Sequence, residues 1–534
     1  MMRTGRSTEV GGEDGQRETL VFLRDHLAAC EGAPPVETVS THISHVLLAG
    51  RRALKLKRAV RLPYVDFATP EKRLAACQRE DEVNRRGAPM LYRGVRRVTR
   101  APAGDLALDG EGPLVDAVVE MERFDAAALL DVMARAGRLD PPLLAALAEA
   151  VAIYHEGAAV YVTEDGTDRL SRVVDGVIRD LDAAGLFDPA EVAAFAARGK
   201  AELERHRVRL DARGRAGRIR RGHGDLHLRN ICLVEGRPVL FDALEFDEAL
   251  ATVDVLYDLA FLLMDLWRRG LHAGANLVLN RYLDRAPPED EHALSLLPFM
   301  MAVRAAIRAH IAGRLAGDPN AGADHRAAAR LEALESFALA RELLRPQSAR
   351  VIAIGGFSGS GKSTVAARLA PEIGPPPGAR ILASDRIRKA MLNAAPQTRL
   401  PPEAYRPEVS EKVYATLIAR AAAVAAEGHA AIADAVFDRA ADRRSIADAA
   451  LAAGVPFDGL WLEVDPERLA VRVRARRNDV SDATESVLAS QLARGAGDID
   501  WTRIPAAANA EDVARSAAEA VVAVPPIGAR SPAQ

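Results

Sequence analysis

Residues 351 to 370 hold the feature that most constrains the fold, a glycine-rich turn between an apolar strand and a helix. The segment reads VIAIGGFSGSGKSTVAARLA and contains Gly356-x4-Gly361-Lys362-Ser363. A strand that leads through such a turn into a helix is typical of a parallel sheet covered by helices. Beyond about residue 346, strand-like and helical segments alternate, which predicts a parallel α/β domain.

The residue types of this turn are those that bind phosphate groups. Glycines let backbone N–H groups wrap a phosphate, and the following helix N-terminus adds its dipole. Lys362 is placed to reach the β- and γ-oxygens of a nucleotide, and the Ser363 hydroxyl can ligate Mg²⁺. An incidental lysine in a glycine- and serine-rich turn is the weaker alternative, given the spacing and the flanks. The predicted nucleotide-binding residues are Gly356, Gly359, Ser360, Gly361, Lys362, Ser363 and Thr364.

Two aspartates and an arginine cluster follow later strands of the same half. ARILASDRIRK predicts a strand that ends at Ser384 and Asp385, and HAAIADAVFDR predicts a weak strand that ends at Asp434. Groups at the carboxyl end of a parallel strand face the ligand crevice. The arginines beyond the next strand either close over phosphates as a lid or form a solvated basic helix face. They are Arg472, Arg474, Arg476 and Arg477.

This C-terminal half resembles the P-loop kinases of small molecules and polynucleotide ends, a group that includes gluconate kinase, zeta toxins and the kinase half of polynucleotide kinase. The resemblance covers roughly 350 to 500 and extends to the segment SDA after the arginines. It implies an aspartate base, an arginine that contacts substrate, an aspartate in the magnesium water shell and lid arginines on the phosphoryl group. The residues at those positions are Asp385 (base), Arg388 (substrate), Asp434 (magnesium), and Arg472 and Arg476 (lid).

The octet HGDLHLRN is the second concentration of reactive side chains. His223, Asp225 and His227 suit zinc or a metal pair, whereas Asp225 and Asn230 suit the base and magnesium ligand of a phosphotransferase. A zinc site needs further His or Cys ligands nearby, and a dinuclear phosphoesterase needs a later Gly-Asn-His run; the sequence offers neither. Phosphoryl transfer needs a second magnesium aspartate past a hairpin, and Asp242 of VLFDALEFD occupies that place.

A kinase-like site also needs a strand lysine that holds the α- and β-phosphates and pairs with a helix glutamate. ALKLKRA offers Lys55 and Lys57 on one face of a strand, and CQREDEVNRR offers Glu80. We prefer Lys55, with Lys57 as its alternative. VVEMERF lies where a hinge would hydrogen-bond adenine through the backbone of Glu120 and Met121.

This N-terminal half resembles the aminoglycoside phosphotransferase and choline kinase group, in which His-Gly-Asp-Leu-His-x-x-Asn is typical, over about 40 to 310. The resemblance implies an α+β protein-kinase-like fold of two lobes. Asp225 is then the base, and Asn230 and Asp242 bind magnesium. The two histidines are expected to be structural, and an aspartate of DVLYDLAFLLMD, Asp254 or Asp258, is expected to support the loop.

One departure from that group concerns the residues after Asp242. A glycine is expected there, but Ala243-Leu244-Glu245 follows instead. Glu245 would therefore add a metal ligand or a substrate contact.

The 534 residues are too many for one core, and we predict two domains. Residues 1–345 form the phosphotransferase-like domain, with a small lobe at about 35–120 and a helical lobe at about 125–345. Residues 346–534 form the P-loop kinase domain. The whole layout resembles bacterial proteins described as bifunctional aminoglycoside phosphotransferase and ATP-binding proteins, a description that names a fold and leaves the substrate open.

Composition indicates a soluble cytoplasmic protein. A net charge of -3 gives no general attraction to nucleic acid or anionic membranes, and three distant cysteines fit a reducing compartment. The first twenty residues lack an apolar core, so we expect a loose tail. The longest apolar stretch, from 256 to 267, carries two aspartates and predicts a buried helix.

The leading hypothesis from the sequence is a kinase with two ATP sites, each using Mg²⁺ to move a γ-phosphoryl group to a hydroxyl of a small molecule. The first alternative is that one half transfers phosphate while the P-loop half is a regulatory ATPase. A polynucleotide 5′-end kinase is a weaker alternative, because a basic and aromatic strand for nucleic acid is not evident. The acceptor and the oligomeric state stay open.

Overall fold

The structure is a computed structural model that describes two compact units. The first contains the described residues up to Gly166 together with Asp211–Leu262, and the second contains Thr167–Leu210 and the described residues from Leu263 onward. The division near residue 346 stays a prediction. The described residues are 12–32, 35–41, 43–62, 65–319, 321–475 and 481–523.

The strands belong to sheets of both kinds, antiparallel in the first unit and parallel in the second. In chain order they are β1 (Glu37–Ser40), β2 (Ser44–Ala49), β3 (Arg52–Lys57), β4 (Arg61–Leu62), β5 (Val65–Asp66), β6 (Tyr92–Arg100), β7 (Leu106–Leu108), β8 (Leu114–Glu122), β9 (Ile219–Arg221), β10 (Ile231–Val234), β11 (Arg237–Leu240), β12 (Thr252–Asp254), β13 (Val351–Gly355), β14 (Arg380–Ala383), β15 (Ala431–Asp434), β16 (Phe457–Glu463) and β17 (Thr502–Pro505).

Helices account for most of the remaining described residues. In chain order they are α1 (Gly12–Cys30), α2 (Pro70–Asn84), α3 (Leu130–Arg135), α4 (Pro141–Glu156), α5 (Gly166–Ala184), α6 (Pro189–Arg215), α7 (Glu248–Ala251), α8 (Val255–Arg268), α9 (His272–Leu283), α10 (Pro288–Glu291), α11 (Leu297–Ala316), α12 (Ala323–Leu343), α13 (Lys362–Leu369), α14 (Ser384–Met391), α15 (Pro407–Ala426), α16 (Ala440–Ala452), α17 (Pro466–Ala475), α18 (Glu485–Arg494) and α19 (Ala510–Ala523).

The main sheet of the first unit has the order β1-β2-β3-β8-β6-β7 and is antiparallel. Helix α2 packs on this sheet, and its start is set by Thr69, whose hydroxyl accepts the Lys72 amide at 3.4 Å, and by proline in the first turn. Apolar side chains on both faces of β3 and β8 are buried, including Leu54 and Val118 on one face and Ala53 and Val119 on the other. An antiparallel sheet with α2 packed on it fits the expected α+β small lobe.

A hairpin follows the octet, as the sequence predicts. β10 and β11 pair antiparallel, and the two linking residues, Glu235 and Gly236, both have left-handed backbone angles (φ 50° and 76°). Two consecutive left-handed residues define the tight turn whose twist matches the strands it joins. The hairpin places Asn230 just before β10 and Asp242 just after β11.

The sheet of the second unit has the order β14-β15-β13-β16-β17, and every pairing in it is parallel. The central strand, β13, is buried along its full length, as expected for a sheet covered on both faces. Ile352, Ile354 and Ile432 pack with Val365 and Leu369 of the helix that follows the glycine-rich turn. The C-terminal half is therefore the predicted α/β P-loop fold.

The expectation of a loose N-terminal tail is wrong for the residues that the structure describes. Helix α1 begins at Gly12, and its Leu23 and Leu27 are buried against the main sheet. Gln16, also buried, donates to the Lys57 carbonyl (2.9 Å) and to Asp116 (2.8 Å). The apolar stripe of this helix lies mostly beyond residue 20, so a reading confined to the first twenty residues misses it.

One helical segment among the described residues, Leu294–Ala316, has the length and apolar composition of a membrane span. Buried positions make up 78% of its apolar window, which is the burial of a core helix. The stretch from 256 to 267 lies in α8, whose residues there are almost all buried as well.

Candidate active sites

Lys55 lies between two carboxylates in the first unit. Its Nζ is 2.7 Å from Glu80 Oε1 on α2 and 2.6 Å from Asp242 Oδ1 beyond β11. Burial alone would lower the pKa of Lys55, but the charges of Asp242 and Glu80 raise that pKa well above its ordinary value. The residues predicted to be the phosphate lysine, its glutamate partner and the second magnesium aspartate are thus in direct contact.

Lys57 has different surroundings and is fully buried. Its Nζ is 2.5 Å from Glu80 Oε2 and donates to Glu245 Oε1. Burial opposes ionisation of Glu80, yet the charges of Lys55 and Lys57 lower the pKa of Glu80 to about 2. Glu245 is therefore the buried partner of Lys57, and its interpretation as a metal ligand or substrate contact is not supported. The stretch Ala243-Leu244-Glu245 supplies the counter-charge that a second strand lysine requires.

Asp225 points its carboxylate into a set of donors within the octet. Its Oδ2 accepts from Asn230 Nδ2 at 2.8 Å and lies 3.3 Å from His227 Nε2. Desolvation would raise the pKa of Asp225, but the charge and hydrogen bond of His227 and the hydrogen bond of Asn230 hold it below its ordinary value. The carboxylate of Asp225 is therefore ionised and held in one orientation.

The octet is tied down by Asp258 of α8. The carboxylate of Asp258 accepts the backbone N–H of His223 (2.6 Å) and of Gly224 (2.9 Å), and it contacts His155 Nε2 at 3.1 Å. Asp254, the other candidate from the sequence, accepts from Arg213 instead. Support of the loop thus belongs to Asp258.

His223 is a structural residue. Its Nε2 donates to the Phe241 carbonyl at 3.0 Å, which joins the octet to the segment before Asp242. Burial is the main reason that the pKa of His223 lies below its usual value, so the ring is neutral at neutral pH. His227 packs edge to face on Phe261, at 5.2 Å between ring centroids.

Asp242 has a left-handed backbone (φ 60°), and its amide donates to the Tyr92 hydroxyl at 3.2 Å. The next amide, that of Ala243, donates to the buried Asn84 side chain at 2.7 Å. Asp is one of the few residues that adopt this conformation readily. The turn thereby aims the Asp242 carboxylate, 41% exposed, toward Lys55.

Glu120 and Met121 lie inside the sheet. They pair with Leu54 and Ala53 of β3 on one side, and β6 flanks them on the other. A central strand uses its backbone groups on its two neighbours, which is a physical objection to adenine binding at these positions. The carboxylate of Glu120 accepts from Arg96 at 2.9 Å. Adenine contact by Glu120 and Met121 stays a prediction.

The glycine-rich turn of the second unit has the backbone of a phosphate-binding loop. Gly356, Gly359 and Gly361 have φ of 141°, 91° and 95°, values that side-chain-bearing residues rarely adopt. A Cβ at Gly359 would lie 2.8 Å from the Leu469 carbonyl oxygen. Helix α13 begins at Lys362, so its N-terminus faces the turn.

The remaining residues of the motif take up separate positions around this turn. Lys362 Nζ donates to the carbonyls of Gly356 (2.9 Å) and Phe357 (3.3 Å). Ser363 Oγ donates to Asp434 Oδ2 at 2.6 Å, so the predicted magnesium pair is in contact. Ser360 is buried, and its Oγ has no partner among the residues described. Thr364 is exposed in the first turn of the helix.

Asp385 and Arg388 lie on α14. Strand β14 ends at Ala383, just before the Ser384 and Asp385 at which the sequence predicted its end. The Asp385 side chain is half-buried. Arg388 is buried, donates to the Ala404 carbonyl at 2.7 Å and lies over the Tyr405 ring at 4.8 Å. These contacts use part of the Arg388 guanidinium, and its substrate contact stays a prediction.

Of the predicted lid arginines, Arg472 lies beside the glycine-rich turn. Its guanidinium donates to the carbonyls of Ala506 (3.0 Å) and Gly359 (3.5 Å). Arg476 lies outside the described residues. In the SDA segment, Asp482 accepts from the Tyr405 hydroxyl (2.7 Å) and from Lys389.

Gln491 is a residue near the turn that sequence reasoning misses. Its side-chain oxygen, buried on α18, accepts the Ser358 amide at 2.9 Å and so holds the first half of the turn. A single glutamine on a helix 133 residues downstream carries no pattern that would reveal this contact.

The donors present fit a hard divalent cation. Asn230 and Asp242 in the first unit, and Ser363 and Asp434 in the second, offer oxygen ligands, which Mg²⁺ prefers. Within the described residues no group of three or more His, Cys, Asp and Glu side chains is arranged so that it could hold a metal ion by itself. Kinase and P-loop folds generally use ATP with a divalent metal, and these residues match that chemistry.

The fold and the two sites define a chain that joins a protein-kinase-like phosphotransferase fold to a P-loop kinase fold. A family model described as an AAA domain matches residues 351–496. The uncharacterized proteins Rv2004c of Mycobacterium tuberculosis and Mb2027c of Mycobacterium bovis are each 31% identical to this chain over 487 residues, covering 88% of it and 91% of the relative. The chain belongs to the same family as these mycobacterial proteins.

Solved structures resemble each half separately. A choline/ethanolamine kinase family protein from Mesorhizobium loti is 17% identical, with a TM-score of 0.36, and covers 61% of this chain and 99% of its own. A sugar kinase from Janibacter sp. is 22% identical, with a TM-score of 0.27, and covers 33% of this chain and 95% of its own.

Proposed function

We propose that the protein is a cytoplasmic, ATP-dependent phosphotransferase with two nucleotide sites. Each site transfers the γ-phosphoryl group of Mg-ATP to a hydroxyl of a small molecule. The observation that supports this most directly is that each unit brings together side chains that the reaction would use. In the first unit Lys55, Glu80 and Asp242 are in contact, and in the second Ser363 meets Asp434 beside the glycine-rich turn.

In the first unit, Asp225 serves as the base. Its ionised carboxylate takes the proton of the acceptor hydroxyl as the oxygen attacks the γ-phosphorus and the bond from that phosphorus to the bridging oxygen breaks, which releases ADP. Asn230 and His227 keep the carboxylate in place. Lys55, held by Glu80, neutralises the α- and β-phosphates. Mg²⁺, when bound, neutralises the charge that develops on the phosphoryl oxygens.

In the second unit, Asp385 serves as the base at the carboxyl end of β14. The amides of the glycine-rich turn and Lys362 bind the β- and γ-phosphates, and Arg472 keeps a positive charge beside Gly359. Positioning and charge neutralisation account for most of the catalysis in both sites.

A regulatory role for the second unit is the main alternative. In that case the second unit binds or hydrolyses ATP and controls transfer by the first. The observation in its favour is the partial use of Arg388 in contacts with Ala404 and Tyr405, which leaves fewer donors for an acceptor molecule.

The deciding experiment is transfer of labelled γ-phosphate from Mg-ATP to a fractionated bacterial metabolite pool. Wild type is compared with Asp225→Asn, Lys362→Ala and the double variant. Exposed residues of the same type serve as matched controls, Asp168→Asn and Lys412→Ala. Circular dichroism checks that each variant is folded.

Two catalytic sites predict that Asp225→Asn and Lys362→Ala each remove a separate labelled product, or one product and its precursor. The controls should retain both. Label released only as free phosphate, and lost only in Lys362→Ala, would show that the second unit is an ATPase and that the two-kinase proposal is wrong.

A further inference from the structure

The open edge of the parallel sheet is covered by a helix from the segment that precedes it. β14 is an edge strand, and such strands present unpaired N–H and C=O groups. Buried Asn280 of α9 accepts the Ile381 amide at 2.7 Å and donates to the Ala379 carbonyl at 3.2 Å. Asn276, one turn earlier, donates to the same carbonyl at 3.0 Å. The two amide side chains thus take the place of a neighbouring strand.

A buried ion cluster fixes the same strand. Arg380, the first residue of β14, donates to Glu291 (2.8 Å) and Asp284 (2.9 Å). Glu291 also accepts from Arg420 Nε at 2.7 Å. A buried arginine is stable only when its charge is compensated in this way, so the cluster holds β14 in one position relative to α9 and α10.

The cluster extends to the phosphate end of the sheet through Arg386. Arg386 Nη1 is 3.1 Å from Asp284 Oδ2, while Asp284 Oδ1 accepts from Arg380. The Arg386 side chain is 19% exposed and lies three residues beyond Ala383, the residue of β14 that pairs with Asp434 of β15. Asp434 in turn accepts from Ser363 at the start of α13.

The carboxylate partner of Arg386 is shared with other arginines. Asp284 pairs with Arg281 (2.8 Å), Arg380 and Arg386, and Glu291 pairs with Arg380 and Arg420. Asp284 therefore fixes Arg386 to the same cluster that holds the start of β14.

We propose that Arg386 is a positioning residue of the P-loop site and that Asp284 holds it there. The Arg386 guanidinium places positive charge at the end of β14, next to the strand that ends in Asp434, and thereby orients the phosphates of Mg-ATP toward Ser363. Helices α9 and α10 are then working parts of the P-loop site. This proposal rests on the proposed function, because it requires that the second unit bind Mg-ATP.

The experiment measures Mg-ATP binding by calorimetry in the full chain, with Lys55→Met and Asp242→Asn in the background to weaken the first site. The test variants are Asp284→Asn, Arg386→Gln and Arg386→Lys. Lys362→Ala gives the Mg-ATP binding that remains when the P-loop site is disabled. Glu332→Gln is the matched control, since Glu332 also pairs with two arginines, Arg308 and Arg268, on helices of the same unit.

We expect Arg386→Gln and Asp284→Asn to weaken Mg-ATP binding about tenfold or more, the size of one charge-assisted hydrogen bond. Arg386→Lys keeps the charge without the planar fork and should recover part of the affinity. The Mg²⁺ concentration for half-maximal binding should rise in the same variants, a change that a purely structural residue would not cause. Glu332→Gln should bind as the background protein does.

Binding within about twofold of the background protein in Arg386→Gln would overturn the proposal. If Asp284→Asn does not fold, Arg386→Gln decides alone, because its partly exposed side chain lies beyond the end of β14. If Lys362→Ala binds as tightly as the background protein, the P-loop site does not bind Mg-ATP, and the proposed function of this unit fails together with the inference. Mg-ATP binding by Lys362→Ala therefore shows whether the proposed function of this unit has failed or only the inference about Arg386.

Discussion

Two lysines on one strand face have different roles. Lys55, 15% exposed, contacts Glu80 and Asp242 at the site, whereas Lys57 is fully buried between Glu80 and Glu245. The sequence alone places both lysines on the same strand face and does not decide which of them binds the phosphates.

Substitution separates the two roles. Lys55→Met should abolish transfer by the first unit while the chain stays folded, because the lysine is needed for phosphates. Lys57→Met should lower the free energy of unfolding by about 3–5 kcal/mol, since it leaves two buried carboxylates with one cation fewer. Urea unfolding and the labelled-transfer assay measure the two effects. An unstable Lys55→Met protein beside a stable, inactive Lys57→Met protein would reverse the assignment.

At the scale of single elements, strand β14 depends on Asn280. Asn280→Leu leaves the Ile381 amide without its acceptor, and an unsatisfied buried group costs about 1–3 kcal/mol. We expect faster hydrogen exchange at Ile381 in this variant. The Ile352 amide, in the central strand, is the internal control and should stay protected. Equal acceleration at both amides would indicate that the whole sheet is loosened and that no local edge contact was lost.

The ion cluster of the same element predicts an acid-sensitive stability. Burial would raise the pKa of Glu291, but the hydrogen bond from Arg420 and the charge of Arg380 lower it from 4.5 to about 2. A lowered pKa means that the stabilising contribution is present above 4.5 and is lost as the pH falls toward 2.

Glu291→Gln removes that group. The free energy of unfolding of the wild type should therefore fall more steeply with decreasing pH between 4.5 and 2 than that of Glu291→Gln. Urea titrations across this range measure the difference. Parallel profiles for the two proteins would show that Glu291 titrates normally in the folded state.

At the scale of the whole molecule, thiol reactivity tests burial in the first unit. Cys30 is exposed, whereas Cys77 and Cys232 are buried, and burial raises the pKa of each buried thiol to about 12. Titration of the native chain with a thiol reagent should therefore detect one fast thiol, and three after denaturation. Cys30→Ser is the control and should remove the fast reaction. A fast thiol that persists in Cys30→Ser would mean that Cys77 or Cys232 is accessible.

Local motifs predict both folds and most of the candidate site residues. The octet, the hairpin and the glycine-rich turn combine fixed spacing with side chains that only certain chemistry requires, so the sequence alone proposes Asp225, Asn230 and Lys362 as candidates. Each of these motifs lies within about twenty residues of the sequence. A contact within such a span follows from the geometry of one strand, turn or helix.

Contacts between distant segments leave no comparable pattern. Glu245 meets Lys57 across 188 residues, and Asn280 meets Ile381 across 101. Their partners are chosen by tertiary packing, and a buried Asn or Glu in a helical or loop segment looks like a solvated one in the sequence. The α1 helix is missed for a simpler reason, because most of its apolar residues lie beyond the first twenty residues, in which a tail was predicted.

The asparagine cover on β14 has a consequence for gene architecture. A C-terminal fragment that begins at residue 346 would contain a sheet whose edge strand, β14, offers open N–H and C=O groups together with the uncompensated charge of Arg380. Such a fragment would associate with itself through that strand. Fission of the gene at this point would therefore be selected against, and the segment that supplies α9 and α10 would be inherited with the P-loop part as one reading frame.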